Sequence, residues 1–202
     1  MSDSDSAVLA PARAGRQKAT TRAELGHIAL TLFVQNGFDN TTIDEIATAA
    51  GIGRRTFFRY FASKNDLPWG DFRALLEGMR EFLGTASPDL SLAEVLRIAV
   101  VEFNRFPEQE ITYHRQRMTL LLTVPTLVAH STLRYEAWRN VIAEYAAGRI
   151  GVSRDSIEPR SIAWATLGAS LSAYEEWLKH DDADLAELLE SAFEAISTAF
   201  SP

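Results

Sequence analysis

The stretch TTIDEIATAAGIGRRTFFRYFASK, Thr41 to Lys64, decides the reading of the fold. Thr42 and Glu45 form a T-x-x-E capping box, so a helix is expected to start near Ile43. Ile43, Ile46, Ala47 and Ala50 recur at helical spacing, and Gly51 stops the pattern. A helix this short is marginal alone and must be held by its neighbours. A second short helix is expected from Gly53 to about Phe61. Phe57 and Phe61 share a face there and point to a core, which leaves Arg54, Arg55, Thr56, Phe58, Arg59 and Tyr60 to the outside. Two short capped helices joined by a glycine turn, the second rich in Arg, have the layout of a helix-turn-helix that enters a DNA groove.

Upstream, Thr21 and Glu24 form another capping box, followed by Leu25, Ile28, Ala29, Leu32 and Phe33 at helical spacing. Asn36-Gly37 is expected to end this first helix with a left-handed glycine cap. Residues 1–19, rich in Ser, Asp, Ala and Pro, read as a disordered arm. Downstream, Ser63 to Asp66 is expected to open a fourth helix with Pro68 in its first turns. Ser91 and Glu94 cap a fifth. Further helices are expected at about 110–123, 126–149, 158–180 and 183–200. No segment alternates usefully with period two. The reading is all-α, with about nine helices: a three-helix DNA-binding domain at 20–66 and a larger helical body at 67–202 for ligand binding and dimerisation.

The composition fits this division. The 202 residues carry a formal charge of −7, unevenly placed: residues 1–67 are net +1 and residues 68–202 net −8. A small cationic head on an acidic body is expected to meet phosphates locally. There is no Cys, which excludes disulfides, thiolate metal sites and a Cys nucleophile. The N-terminus does not read as a signal peptide, and no apolar run reaches the roughly 18 residues of a membrane span. A cytoplasmic protein without membrane contact is expected.

A major groove about 12 Å wide accepts one helix, with the N-terminal residues of that helix nearest the base edges. Arg54, Arg55 and Thr56 occupy that end; Phe58, Arg59 and Tyr60 lie further along. Arg can donate two hydrogen bonds to guanine, and a Thr methyl can touch thymine. Lys64, and Thr41 or Thr42 at the start of the second helix, suit phosphates.

Residues 21–67 resemble the N-terminal domain of the TetR family of bacterial transcriptional regulators. The resemblance rests on F-x-x-x-G-F from Phe33, T-T-I-x-x-I-A-x-x-A-G-I from Thr41, and R-x-T-F-F-R-Y-F-x-S-K-x-D-L from Arg54. It implies a DNA-binding domain with a helical ligand-binding and dimerisation domain, acting in most members as an effector-controlled repressor on a near-palindrome. The family's DNA-contacting positions carry over to Thr42, Arg54, Arg55, Thr56, Phe58, Tyr60 and Lys64. Phe58 stands where Tyr is common and Tyr60 where His is common; Arg59 replaces a usual aromatic. The run from Gly53 to Phe72 also resembles, more loosely, regulators associated with mycofactocin gene clusters of actinobacteria. That subgroup implies an acyl-CoA-type effector.

In the body, Phe103, Met118, Leu121, Leu122, Tyr135, Trp138, Trp164 and Leu167 are expected to line an apolar pocket. His114 and Arg117, with Arg115, His130, Arg134 and Arg139, could meet a carboxylate or phosphate. The last two helices are expected to pair two chains through Leu167, Leu171, Phe193, Ile196 and Phe200. No cofactor or metal is expected. Two other classes compete. A protein-binding helical adaptor would not need the Arg cluster. An all-α enzyme could start from Glu24 and His27 as half of a di-iron motif, but the second copy such a site needs is missing; His180-Asp181-Asp182 near Glu175 and Glu176 resembles metal ligands but reads equally as an ordinary polar helix end. No nucleophile elbow, phosphate loop or dinucleotide fingerprint occurs.

Overall fold

A computed structural model describes residues 20–199, and the N-terminal arm and Phe200 lie outside it. The described residues form nine α-helices and one 3-10 segment, with no strand. The first three helices are α1 (Arg22–Asn36), α2 (Ile43–Ala49) and α3 (Arg54–Tyr60). The 3-10 segment Lys64–Trp69 leads into α4 (Phe72–Thr85), α5 (Leu92–Phe103) and α6 (Glu108–Thr123). The long α7 (Pro125–Ile150), then α8 (Ile157–Trp177) and α9 (Leu185–Ala199) complete the body.

The three expected capping boxes form. Thr21, Thr42 and Ser91 each accept from the backbone N–H three residues on, and Glu24, Glu45 and Glu94 each accept in return from the cap N–H. The turn of the helix-turn-helix closes by backbone geometry. Gly51 sits at φ 65°, and the Ile52 N–H reaches back to the Ala47 carbonyl at 2.9 Å. That six-residue closure needs a left-handed residue just before its closing N–H, a conformation glycine adopts without strain. Gly37 differs from expectation: its φ of 82° is positive, but its ψ of 149° is extended rather than left-handed helical.

The fourth helix is the main departure from the sequence reading. Pro68 lacks an N–H, and Gly70 turns the chain at φ 54°, ψ −131°. The expected helix therefore divides into the 3-10 segment and an α4 that starts only at Phe72, capped by Asp71, whose carboxylate accepts from the Ala74 N–H at 3.3 Å. Lys64 starts the 3-10 segment and not α4.

Phe57, at 0% exposure, anchors α3 in the core that also holds Leu25, Phe33 and Ile46, and its ring centre lies 6.2 Å from that of Phe61. In the body α8 packs between α7 and α9, and α6 packs on both α7 and α1. No helix among the described residues is long and apolar enough to cross a membrane.

Candidate nucleic-acid interface and ligand cavity

On α3, Arg54, Arg55, Phe58 and Arg59 are exposed and, at i, i+1, i+4 and i+5, share one face. Phe58 is 45% exposed, an apolar ring at the surface of a cationic face. The Arg54 guanidinium pairs with Asp44 of α2 at 2.9 Å and lies 5.6 Å from the centre of the Phe58 ring. Arg55 makes no hydrogen bond or ion pair among the described residues, so both of its donor edges are available. Arg59 lies 5.9 Å from the Tyr60 ring centre.

The other four predicted positions are partly buried or committed inside the protein. Thr56 and Tyr60 are half-buried, and the Tyr60 hydroxyl donates to the Thr20 carbonyl at 2.6 Å, holding the start of α1. Thr42 is exposed, but its N–H and hydroxyl both donate to the Glu45 carboxylate, at 2.7 and 2.8 Å. Those two hydrogen bonds hold the Glu45 carboxyl below its usual range. The Lys64 ammonium donates to the carbonyls of Phe38 at 2.8 Å and Thr41 at 3.0 Å, over the Phe38 ring. It therefore ties the 3-10 segment to the turn between α1 and α2.

The body forms a cavity of about 400 Å³, open to solvent on one side, among α4 to α8. Of the predicted lining, Phe103, His114, Arg117, Met118, Leu121, Tyr135, Trp138 and Leu167 reach it. Leu122 and Trp164 do not. The α6 contribution is Glu110, His114, Arg117, Met118 and Leu121, a helical stripe that excludes Leu122. Trp164 is 57% exposed because α8 turns Ala163 and Leu167 inward, and the Arg139 guanidinium stacks 3.6 Å from its ring centre.

The sequence reading missed Trp69, Phe72, Asn104, Phe106, Ser170 and Tyr174, and it had given Leu171 to a subunit interface; all seven line the cavity. Phe72 recurs at helical spacing with Leu76, Met79 and Leu83, and Tyr174 with Leu167 and Leu171, so an inward position is legible in the sequence; which cavity they face is not. Trp69, Phe72, Phe103, Tyr135 and Trp138 form a belt of edge-to-face rings, with centres 4.9 to 6.3 Å apart.

A directed polar chain crosses one side. The Asn104 amide donates to the Val100 carbonyl at 2.7 Å, which fixes its oxygen toward Tyr174. The Tyr174 hydroxyl donates to that oxygen, so it must accept from His114 Nε2 at 2.8 Å. His114 thus carries its proton on Nε2 and leaves Nδ1 as a buried acceptor without a donor. Burial, aided by the Arg117 charge, pushes the His114 pKa down to about 3, and burial pushes the Tyr174 phenol up. Both are neutral near pH 7.

Polar pairs join head and body at two places. His27 of α1 bonds Glu110 of α6 at 3.0 Å and stacks on Tyr113, with ring centres 3.8 Å apart. Asp66 of the 3-10 segment accepts from Ser63, and from His130 at 3.1 Å and Arg134 at 2.7 Å on α7. Burial would raise the Asp66 carboxyl, but these hydrogen bonds and the Arg134 charge hold it below its ordinary value. His130 and Arg134 are thus structural links and not lining residues. Arg115 likewise donates to the carbonyls of Trp177 and His180, at 2.7 and 3.0 Å. Of the residues weighed as metal ligands, His27 pairs with Glu110 and His180 with its neighbour Glu176 at 3.1 Å, and among the described residues no three His, Asp or Glu side chains gather as a metal site.

Among the predicted dimer residues, Leu167 and Leu171 face the cavity and Phe193 is buried within the chain. Ile196 is half-buried, and Phe200 lies outside the described residues. The exposed face of α8 is instead Ser161, Trp164, Ala165, Gly168 and Ser172.

A helix-turn-helix head with an exposed cationic α3 face, set on a helical body, is the architecture of a DNA-binding transcription regulator. Comparison with known proteins makes the class specific. Residues 27–67 match the family described as bacterial regulatory proteins, tetR family, and residues 90–201 match the MftR C-terminal domain. The chain belongs to the TetR family of transcriptional regulators and carries an MftR-type C-terminal domain. It is 42% identical, over 91% of its length and 93% of the relative's, to a Mycobacterium tuberculosis protein named as a candidate mycofactocin biosynthesis transcriptional regulator, MftR. Its fold is similar to that of FadR from Bacillus subtilis, solved with stearoyl-CoA, with a TM-score of 0.63 at 16% identity. That match covers 90% of this chain and all of the other. Thermus thermophilus FadR, a repressor solved with lauroyl-CoA, matches with a TM-score of 0.57 at 24% identity, over 90% of this chain and 96% of its own.

Proposed function

We propose that this chain is a cytoplasmic homodimeric repressor whose two α3 helices read the halves of a near-palindrome, and that an apolar acyl ligand, of the acyl-CoA type, releases it. The observation that carries the ligand reading is the aromatic-belted cavity of about 400 Å³. Its wall includes Trp69 of the 3-10 segment and Glu110, the partner of His27. The acyl-CoA complexes of the two FadR proteins support the same ligand class. Arg55, free of internal partners, is the principal base reader. Arg54, Thr56, Phe58 and Arg59 flank it, and Thr42, Tyr60 and Lys64 set its position and border the phosphates.

Pairing uses the exposed α8 face around Trp164, Ala165, Gly168 and Ser172, where small side chains let a partner helix approach, together with Ile196 of α9. Two heads must sit one DNA turn apart, about 34 Å, to occupy successive major grooves. A ligand changes that spacing only by binding the released arrangement more tightly than the DNA-bound one.

Selection of bound sequences from random duplex DNA tests this reading. A two-fold symmetric consensus is expected, and Arg55→Ala should weaken its binding by about 1–3 kcal/mol and relax one base position per half-site. Enrichment of no sequence, or unaltered preference in the variant, would overturn it.

A further inference from the structure

One corner of the cavity holds polar groups that the described residues leave largely unsatisfied. The Trp69 indole N–H and the Arg117 Nε–H are buried without a hydrogen-bond partner among the described residues, and the buried Tyr135 hydroxyl beside them has only the Ser131 side chain near it. All three residues line the cavity. They are also neighbours: the Trp69 and Tyr135 ring centres are 5.6 Å apart, and Arg117 Nη2 lies 4.0 Å from where a side chain on Gly70, next to Trp69, would begin. Arg117 forms no ion pair among the described residues. The nearby Glu110 carboxylate is already bonded to His27. Burial pulls the Arg117 guanidinium below its ordinary value, against the opposing influence of Glu110. Each unmet buried donor costs about 1–3 kcal/mol, so a wholly apolar occupant would leave the corner unfavourable. All three groups can donate, and one is cationic, which is the complement of an acceptor oxygen.

We propose that the Trp69, Arg117 and Tyr135 corner binds the oxygen of an acyl group, as a carboxylate or a thioester carbonyl, while the aromatic belt takes the chain. The proposal rests on the acyl reading above and names the atom that makes it specific. It also names the part of the ligand that the switch senses. Trp69 ends the same 3-10 segment whose Lys64 holds the Phe38 and Thr41 carbonyls and whose Asp66 is held by α7. An oxygen drawing on Trp69 acts directly on the joint beneath the DNA-binding head.

Calorimetric titration of the intact protein with three probes tests this: dodecanoate, dodecanoyl-CoA and the thioether S-dodecyl-CoA, which keeps chain and nucleotide but lacks the carbonyl. The thioether should bind more weakly than the better of the other two by about tenfold or more, in line with loss of a hydrogen bond to a charged group. Trp69→Phe, which keeps an aromatic ring, and Arg117→Met should weaken binding of the oxygen-bearing probe by about tenfold more than they weaken binding of the thioether, and an equal loss for both probes would overturn the corner. If Arg117→Met does not fold, Trp69→Phe decides. Preference for dodecanoate assigns the oxygen to a carboxylate, and preference for dodecanoyl-CoA assigns it to a thioester. Equal binding of thioester, thioether and acid, unchanged in both variants, would overturn the corner while leaving the chain-binding cavity intact. Failure of all three probes to bind would overturn the acyl reading itself, and the corner with it.

Discussion

His114 shows how far one buried side chain commits the body to a pH range. Its folded pKa of about 3 lies below the unfolded value near 6.5, so between these values the unfolded chain binds the extra proton. Stability from this site is complete above pH 6.5 and is lost as pH falls toward 3. By pH 5 the loss is about 2 kcal/mol. Urea unfolding at pH 8 and pH 5 should show that decrement in the natural chain, and His114→Gln should show much less of it. Equal decrements would mean that His114 is not held neutral by its surroundings. The residue scale is also where the sequence was least legible. Arg54, Arg55 and Lys64 look alike as cations in a string, yet one pairs with Asp44, one has no internal partner and one caps two carbonyls. These assignments depend on groups 10 to 26 positions away in the chain. Trp164 has the same lesson: its spacing permits an inward position, but neighbouring Ala163 and Leu167 take it.

At the scale of elements, the helices with local signals were legible. Capping boxes at Thr21, Thr42 and Ser91, and Gly51 in the turn, act within a few residues, so the string contains their whole cause. The 3-10 segment was not legible as a separate element. Its form depends on Pro68, on Gly70 and on Asp66 meeting His130 and Arg134 from α7. Two joints connect head to body, and the His27–Glu110 joint shares a residue with the cavity wall. Glu110→Gln keeps the shape but removes the charge. It should leave operator affinity within about threefold, since an exposed or half-exposed ion pair contributes at most about 1 kcal/mol, while raising the acyl-CoA concentration needed for release. A fluorescence-anisotropy titration of labelled operator reads both quantities. Loss of DNA binding with an unaltered release midpoint would place this joint outside the signalling route.

For the whole molecule, the division of charge and of packing has one consequence. The cationic face of α3 sits on an acidic body, so attraction to DNA is confined to the head and orientation is favoured before contact. The body carries the cavity, and the two joints link the body to the head. The all-α class and the order of helices followed from periodicity and caps; the cavity did not, because it is made by faces of five helices that only the packed body brings together. The most direct test is binding of the selected operator followed against long-chain acyl-CoA at fixed salt, with the free nucleotide CoA as control. The account predicts that acyl-CoA releases the operator in a saturable way and that CoA alone does not. Operator binding that is indifferent to acyl chains, or released equally by CoA, would contradict it.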